Sequence, residues 1–384
     1  MNPIRVLHLI SSLAAGGAQT MLANLLARMD RQRFQNQVVS LIEVGPVGEQ
    51  IRSQGIPVYP LGMRRGQPSP AGLWRLARLL RRERPDVLQT WLYHADLLGL
   101  CAAPLARTPV VVWNVRASNM DMAQYRRLSS WTVKACARLS GLPHAVVVNS
   151  EAGRAFHAQI GYHPRQWVLI PNGIDTQKFH PEPALRADVR CELGLEPEAL
   201  LIGLVARFDP MKDHGTFLRA AGQLARTNPA AHFVLVGEGA SANNAPLAAL
   251  CAQENLDERM RLLGRLADLP RLTTALDMAS SSSAFGEGFP NVVGEAMASG
   301  VPCVVTDVGD AARIVGETGI VVPPKNPEAL AEGWRKLIAL GADGRGQLGQ
   351  AARARIQQHY SLTGVVRQYE DLYQSVTEKT RCAA

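Results

Sequence analysis

The feature that most constrains the fold of this chain is an alternation. Short, almost continuous apolar runs are followed by stretches whose apolar residues recur every three or four positions. I-R-V-L-H-L-I-S (4–11) is such a run, and from about Ala18 a helical stripe follows with Met21, Leu22, Leu25, Leu26 and Met29 on one face. N-Q-V-V-S-L-I (36–42), I-P-V-Y-P-L (56–61), D-V-L-Q-T-W-L (86–92), P-V-V-V-W-N-V (109–115) and H-A-V-V-V-N-S (144–150) repeat the strand pattern, and a basic helix at 72–84 stops before Pro85. Strands without polar alternation are buried on both faces, which predicts a parallel sheet covered by helices.

The rhythm breaks at I-P-N-G-I-D-T-Q-K-F-H-P-E-P (170–183), a stretch rich in Pro, Gly and Asn, and a domain boundary is placed there. It restarts with L-L-I-G-L-V-A-R (200–207), H-F-V-L-V-G-E-G (232–239), M-R-L-L-G (260–264), D-M-A-S-S-S-S (277–283), V-P-C-V-V-T-D (301–307) and I-V-V-P-P (320–324), with helices near 328–340 and 345–359. A chain of 384 residues has room for two such domains. The expected organisation is a Rossmann-like domain over 1–172, a second over 173–362 and a terminal helix over 363–384. Two doubly wound domains in tandem should face a common cleft, with the C-terminal ends of both sheets opening onto it.

Composition excludes several classes. The six cysteines are far apart and form no C-x-x-C pair, so neither a disulfide framework nor a zinc site is indicated, and a reducing cytosol fits. The N-terminus reads as a strand, not a signal peptide, and no run reaches the roughly 18 apolar residues of a membrane span. The net charge of +8 is uneven: residues 1–170 hold 20 Lys and Arg against 8 Asp and Glu, and residues 171–384 hold 21 against 25. A basic first half suits an anionic lipid surface or a phosphate-bearing acceptor, or simply a solubilising surface. No nucleic-acid-binding motif accompanies it.

Three loops carry candidate chemistry. In S-S-L-A-A-G-G-A-Q (11–19), Gly16 and Gly17 stand between a strand and a helix, where backbone amides can meet an anion. The pattern is not G-x-G-x-x-G, which argues against a dehydrogenase. In V-A-R-F-D-P-M-K-D-H (205–214), Arg207 and Lys212 follow a strand; the chain has only six lysines against 35 arginines, so the lysine is less expected as surface filler. Two cations there can neutralise a diphosphate, or can pair with Asp209 or Asp213. In E-G-F-P-N-V-V-G-E (287–295), Glu287 precedes a helix that begins near Asn291 and Glu295 lies about one turn into it. Amides at the helix start can hold an anion while each carboxylate accepts hydrogen bonds from hydroxyls on either side of it. A diphosphate between two polyhydroxy rings, a nucleotide sugar, fits that layout; two ordinary surface acids are the alternative.

S-S-S-S-A-F-G-E-G-F-P-N-V-V-G-E-A-M-A-S-G-V-P-C-V-V-T-D-V-G, with A-R-F-x4-K, L-V-G-E-G, G-G-A-Q, I-P-N-G-I-D and Y-S-L-T-G-V-V-R-Q-Y-E-D-L-Y in order, resembles the retaining group 1 glycosyltransferases (family 4) of the GT-B fold. The resemblance spans most of the chain, strongly in 200–325 and more weakly in 45–165. It implies that Glu295 holds the donor ribose, that Glu287 contacts the donor sugar, and that Gly288, Phe289, Pro290, Asn291 and Val292 line the sugar and distal phosphate. It further implies that Arg207 and Lys212 bind the diphosphate, that Gly16 and Gly17 close over it, that Gly264, Arg265 and Leu266 meet the base, and that a helix at about 363–380 crosses back onto the first domain. Members need no metal and no cofactor; the nucleotide sugar is a substrate. Retaining members are thought to react on the front face of the sugar, with the leaving phosphate deprotonating the acceptor, so neither Glu is assigned as a nucleophile.

The chain departs from the family pattern in places. The usual His at the end of the fourth strand is replaced by Trp91, with His94 three residues on as a substitute. Arg313 stands where an acid is usual after T-D-x-G, and Gln19 where Glu is common. On the acceptor side, Asn114, Arg116 and Ser118 are candidates, and the basic helix with Arg64 and Arg65 suits anionic head groups. The expected activity is transfer of a hexosyl or N-acetylhexosaminyl group from a UDP- or GDP-sugar to a glycan or lipid-diphosphate-linked acceptor, in bacterial surface-polysaccharide assembly such as lipopolysaccharide. The expected place is the cytoplasm, at the inner face of the membrane. A nucleotide-sugar epimerase of the same architecture and a non-catalytic accessory subunit are the rivals.

Overall fold

A computed structural model describes residues 3–14, 16–64, 67, 69–116, 127–196 and 198–383. The chain divides into two compact units, one made of Met1–Gly173 with Leu362–Ala384 and the other of Ile174–Ser361.

The first unit is built on a seven-stranded parallel sheet of order β3-β2-β1-β4-β5-β6-β7. Its strands are β1 (Ile4–Ile10), β2 (Phe34–Ser40), β3 (Val58–Pro60), β4 (Val87–Trp91), β5 (Val110–Val115), β6 (Ala145–Val148) and β7 (Trp167–Leu169). Residues of β4, β5 and β6 are buried throughout, as expected for a sheet covered on both faces. Successive residues of β1 serve opposite layers. Val6 and Ile10 face α1 (Gly17–Arg28) and α2 (Gly45–Ser53), while Leu7 and Leu9 face α3 (Pro70–Glu83), α4 (Tyr93–Ala106) and α5 (Arg127–Leu139). Helix α6 (Glu151–Gln159) completes the unit before the chain leaves it.

The second unit carries a six-stranded parallel sheet of order β10-β9-β8-β11-β12-β13. The strands are β8 (Leu200–Val205), β9 (Ala231–Val236), β10 (Met260–Gly264), β11 (Met278–Ser281), β12 (Cys303–Thr306) and β13 (Gly319–Val322). Helices α7 (Pro183–Glu192), α8 (His214–Thr227), α9 (Ala245–Gln253), α10 (Leu269–Ala275), α11 (Asn291–Ala298), α12 (Ala311–Val315), α13 (Pro327–Ala339) and α14 (Gly341–His359) cover it. Trp334 of α13 fills the centre of one face against Phe217 and Phe233, and its indole N–H donates to Ser280 Oγ at 2.8 Å.

The last helix, α15 (Leu362–Ala383), belongs to the first unit. Its buried residues Leu362, Val365, Val366, Tyr369, Leu372, Tyr373 and Val376 follow the spacing of a single helical face and join the core beneath β1. Fully burying such a side chain contributes about 1.5–3 kcal/mol. Polar contacts fix the docking: Glu370 accepts the amide of Asp30 at 2.9 Å, and Arg33 donates to Gln374 at 2.9 Å.

Helix α7 and strand β7 are among the elements that the sequence pattern did not mark. Helix α7 is held by Asp277, which accepts from Arg186 at 2.6 Å, Arg190 at 3.0 Å and the amide of Leu201 at 2.8 Å. β7 is three residues long and half-buried, too short to show a period.

Candidate active site

In each sheet the strand order reverses once, between β1 and β4 in the first and between β8 and β11 in the second. Ligands of open α/β sheets bind at the C-terminal ends of the strands at that reversal.

In the second unit the exits of β8 and β11 converge. After β8 the chain runs through exposed Arg207 and a short 3-10 turn, Pro210–Lys212. Asp209 caps that turn by accepting the amide of Met211 at 2.9 Å, and it also ion-pairs with Arg207 at 3.1 Å. Asp213, at φ 46°, starts α8 by accepting the Thr216 amide at 3.1 Å and its hydroxyl at 2.7 Å. The ammonium of Lys212 turns toward β11 and ion-pairs with Glu287. Ser283 Oγ donates to the same carboxylate at 2.7 Å, and Ser282 Oγ donates to the Lys212 carbonyl at 2.8 Å. The expected cation pair is thus split: Arg207 is neutralised by Asp209 and Lys212 by Glu287.

The loop after Glu287 is shaped by Gly309. The amide of Asp310 donates to the Gly288 carbonyl at 2.9 Å. Gly309 sits at φ 63°, and a Cβ there would fall 2.4 Å from the carbonyl oxygen of Glu287. Only glycine admits both the backbone angle and the close approach. Phe289 is buried against Tyr360, with ring centroids 5.5 Å apart. Pro290 precedes the first turn of α11 and itself supplies no side-chain cap to that amino end. Asn291 and Val292 form the turn, half-buried.

Glu295 lies one turn further on. Burial pushes its carboxyl up from 4.5 to about 7, with nearby Lys178 acting in the opposite direction. It borders a small pocket lined by Val205, Leu269, Thr273, Ser280 and Val292. Gly264 ends β10 at φ 63°, and its carbonyl accepts the Gly237 amide at 2.8 Å; Arg265 beyond it is exposed, and Leu266 packs partly on the core. Arg313 is exposed on α12.

In the first unit, Gly16 and Gly17 open α1 and are exposed at the end of β1. His94 stands in the first turn of α4, after β4; partial burial lowers its pKa. The residue between, Leu92, adopts φ 73°, a strained angle for a branched side chain. Trp91 does not reach the surface. It is fully buried, its indole N–H donates to His8 Nδ1 at 3.3 Å, and its ring stacks on Tyr369 at 6.1 Å.

Asn114 is also fully buried, and its amide donates to Tyr369 Oη at 2.9 Å. In this structure it serves the junction between β5 and α15. Arg116 donates to Asn114 and to Tyr369 Oη, each at 3.3 Å, bonds Asn172, and lies 5.2 Å above the Trp91 ring. Among the described residues it has no carboxylate partner. Ser118 and Arg65 lie outside the described residues.

Sequence reasoning did not single out Ser283, Gly309 and Tyr369. Only the V-G after T-D, a glycine following a strand, offered a signal. The contacts of Ser283 and Tyr369 span distances that no local pattern records.

A family model described as "Glycosyl transferases group 1" matches residues 199–340, and one described as "Glycosyltransferase Family 4" matches residues 15–178. The chain is 28% identical over 351 residues to a putative glycosyltransferase, EpsF, of Bacillus subtilis, with 88% of each chain covered. It is 29% identical to the UDP-Gal:alpha-D-GlcNAc-diphosphoundecaprenol alpha-1,3-galactosyltransferase of Escherichia coli, over 61% of this chain and 60% of that protein. The solved structure of Anabaena Alr3699/HepE in complex with UDP superimposes with a TM-score of 0.85 at 22% identity, covering 97% of this chain and 100% of that one.

Proposed function

Because the chain belongs to the group 1, family 4 glycosyltransferases and has their GT-B fold, we propose that it transfers a sugar, with retention and without a metal, from a UDP- or GDP-sugar to a lipid-diphosphate-linked or glycan acceptor of bacterial surface-polysaccharide assembly. The observation that carries this reading is the Lys212–Glu287 pair at the reversal of the second sheet, followed at once by the amino end of α11.

That arrangement supplies what departure of a nucleoside diphosphate requires. Charge accumulates on the bridging phosphate oxygen as the bond to the anomeric carbon breaks. Lys212 and the positive end of α11 would stand near that charge, and Arg207 would join them on leaving Asp209, which together would stabilise it. Glu287, oriented by Lys212 and Ser283, accepts hydrogen bonds from the donor sugar, and Glu295 accepts them from the ribose. Gly264, Arg265 and Leu266 would meet the base. On the same face, the acceptor oxygen forms its bond to the anomeric carbon as the phosphate leaves, and its proton passes to the departing phosphate oxygen. No carboxylate need act as a nucleophile.

The acceptor assignment follows the Escherichia coli relative, whose name specifies a diphosphoundecaprenol acceptor. Arg116, whose partners among the described residues are neutral, suits an anionic acceptor group. None of the described helices is long and apolar enough to cross a membrane; the proposed meeting place with the lipid is the cytoplasmic membrane face.

The test is donor hydrolysis. Purified protein is incubated with UDP-, GDP- and ADP-sugars in EDTA without acceptor, and nucleoside diphosphate release is followed. Slow release from one donor, abolished by Lys212→Ala, is the expected result. Release that requires an added divalent cation would overturn metal independence. No release and no thermal shift with any donor would favour an accessory binding role.

A further inference from the structure

Helices α3, α4 and α5 lie side by side on one face of the first sheet, with α4 packed between the other two. The outer surface of this layer has an unusual composition. Among the described residues, every large apolar side chain of the first unit that is strongly exposed falls here: Trp74 (61%), Leu105 (48%), Trp131 (72%) and, just past the end of α5, Leu142 (54%). Single exposed apolar residues are ordinary, but a cluster on three adjacent helices marks a surface that meets something.

The same surface is cationic. Arg75, Arg78, Arg81 and Arg82 are exposed on α3, and Lys134 and Arg138 on α5. The only acids on the three helices are Asp96, which is buried, and Glu83, which is bonded to Gln37 and Arg82. Arg78 lies 5.4 Å above the Trp74 ring, and Arg81 donates to the Leu105 carbonyl at 2.8 Å, so cation and apolar group are interleaved rather than segregated. The exposed side of the central helix, at Cys101, Pro104 and Leu105, is uncharged.

We infer that the outer face of α3, α4 and α5 docks flat on an anionic bilayer, with Trp74 and Trp131 entering the head-group region and the flanking arginines and Lys134 on lipid phosphates. Tryptophan favours that depth because its ring is apolar and its N–H polar. Arginine lays its stem on apolar surface and its guanidinium on phosphate. A second copy of this chain is a poor occupant, because two such faces repel. Trp74 and Trp131 lie near the amino ends of α3 and α5, the ends nearer the C-terminal edge of the sheet, where His94 and Gly16 also stand. Flat docking therefore leaves that edge beside the lipid surface. The inference deepens the proposed function by naming the surface that meets the acceptor's membrane, and its test is read independently of turnover.

The full chain is sedimented with vesicles of phosphatidylcholine alone, or with about a third phosphatidylglycerol, and tryptophan emission is recorded. The expected result is at least roughly tenfold stronger binding to the anionic vesicles, a blue shift on binding and loss of binding in high salt. Trp74→Ala with Trp131→Ala should weaken binding about tenfold, and Arg78→Glu with Lys134→Glu should weaken it further, with melting temperature and donor hydrolysis unchanged in both. Equal binding to the two vesicle types, or variants that bind like the parent, would overturn the inference. So would equally tight binding to random duplex DNA lost with the same charge reversals. Because hydrolysis of a soluble donor needs no vesicle, failure of the transferase reading and failure of the docking surface are told apart.

Discussion

Lys212 and Glu287 are ion-paired although 75 residues separate them in the chain. They come from the two strand exits that flank the reversal of the second sheet, and their side chains are only 17% and 9% exposed. An ion pair this sheltered is costly to break from one side, because the remaining charge keeps its desolvation penalty.

Lys212→Ala should therefore lower stability by about 2 kcal/mol, less than a fully buried pair would lose. It should also lower donor hydrolysis by at least about a hundredfold, the scale for losing a fixed charge at a developing oxyanion. The double change with Glu287→Ala should recover part of the stability and none of the turnover. Urea unfolding and nucleotide release measure the two effects, and full activity of the single variant would refute the assigned role.

Glu295 predicts a pH dependence. Its carboxyl is raised to about 7 in the folded protein from an ordinary 4.5, so between those values the folded state holds a proton that the unfolded state releases. Stability from this group is therefore highest at low pH and declines as pH rises through that window. Glu295→Gln should flatten the decline and stabilise the protein by about 2 kcal/mol at pH 8, after allowance for partial exposure. Donor affinity should move the other way, rising with pH as the carboxylate ionises to accept ribose hydroxyls, and should be lost in the variant. Melting curves and donor titrations at pH 5 and 8 check both signs.

Gly309→Ala should cost about 3 kcal/mol, through its left-handed backbone and the clash with the Glu287 carbonyl. Because the clash falls on the loop that carries Glu287, donor affinity should drop more than in an equally destabilised core variant. A Val304→Ala control, in the buried centre of β12, separates the two effects.

Tyr369→Phe removes one hydroxyl that serves both Asn114 and Arg116. Stability should fall by about 1–2 kcal/mol, since a buried amide and a guanidinium each lose a partner. Tyr369→Ala should cost more than 3 kcal/mol by also opening a cavity beside Trp91. Chemical denaturation of the two variants distinguishes the polar contribution from the packing one; equal losses would deny the hydroxyl a role.

Much of the architecture could be read from the chain before any coordinates. Uninterrupted runs such as V-V-V-W-N-V marked buried strands, the amphipathic stripe of α1 marked its covering helix, and α15 was expected from the family resemblance. The E-x7-E spacing placed Glu287 in a loop and Glu295 in a helix, where they lie. The misses have local causes. β7 is too short to show a period, and α7 depends on the distant Asp277. Nor could a polar strand end show that the partner of Asn114 is Tyr369, 255 positions away.

By itself, then, the sequence determined periodicity, and periodicity determined which faces are buried, which elements form and where strand exits put polar residues. It also determined charge, including the basic first half. Only the tertiary structure decided which polar groups satisfy one another: that Lys212 pairs with Glu287 and Arg207 with Asp209, that Trp91 turns inward against Tyr369, and that exposed Trp74 and Trp131 share a cationic face with Leu105. The physical reason is range. Secondary structure follows from interactions within a few residues, whereas a buried charge, an orphaned amide or an exposed ring finds its partner through the packing of elements far apart in the chain.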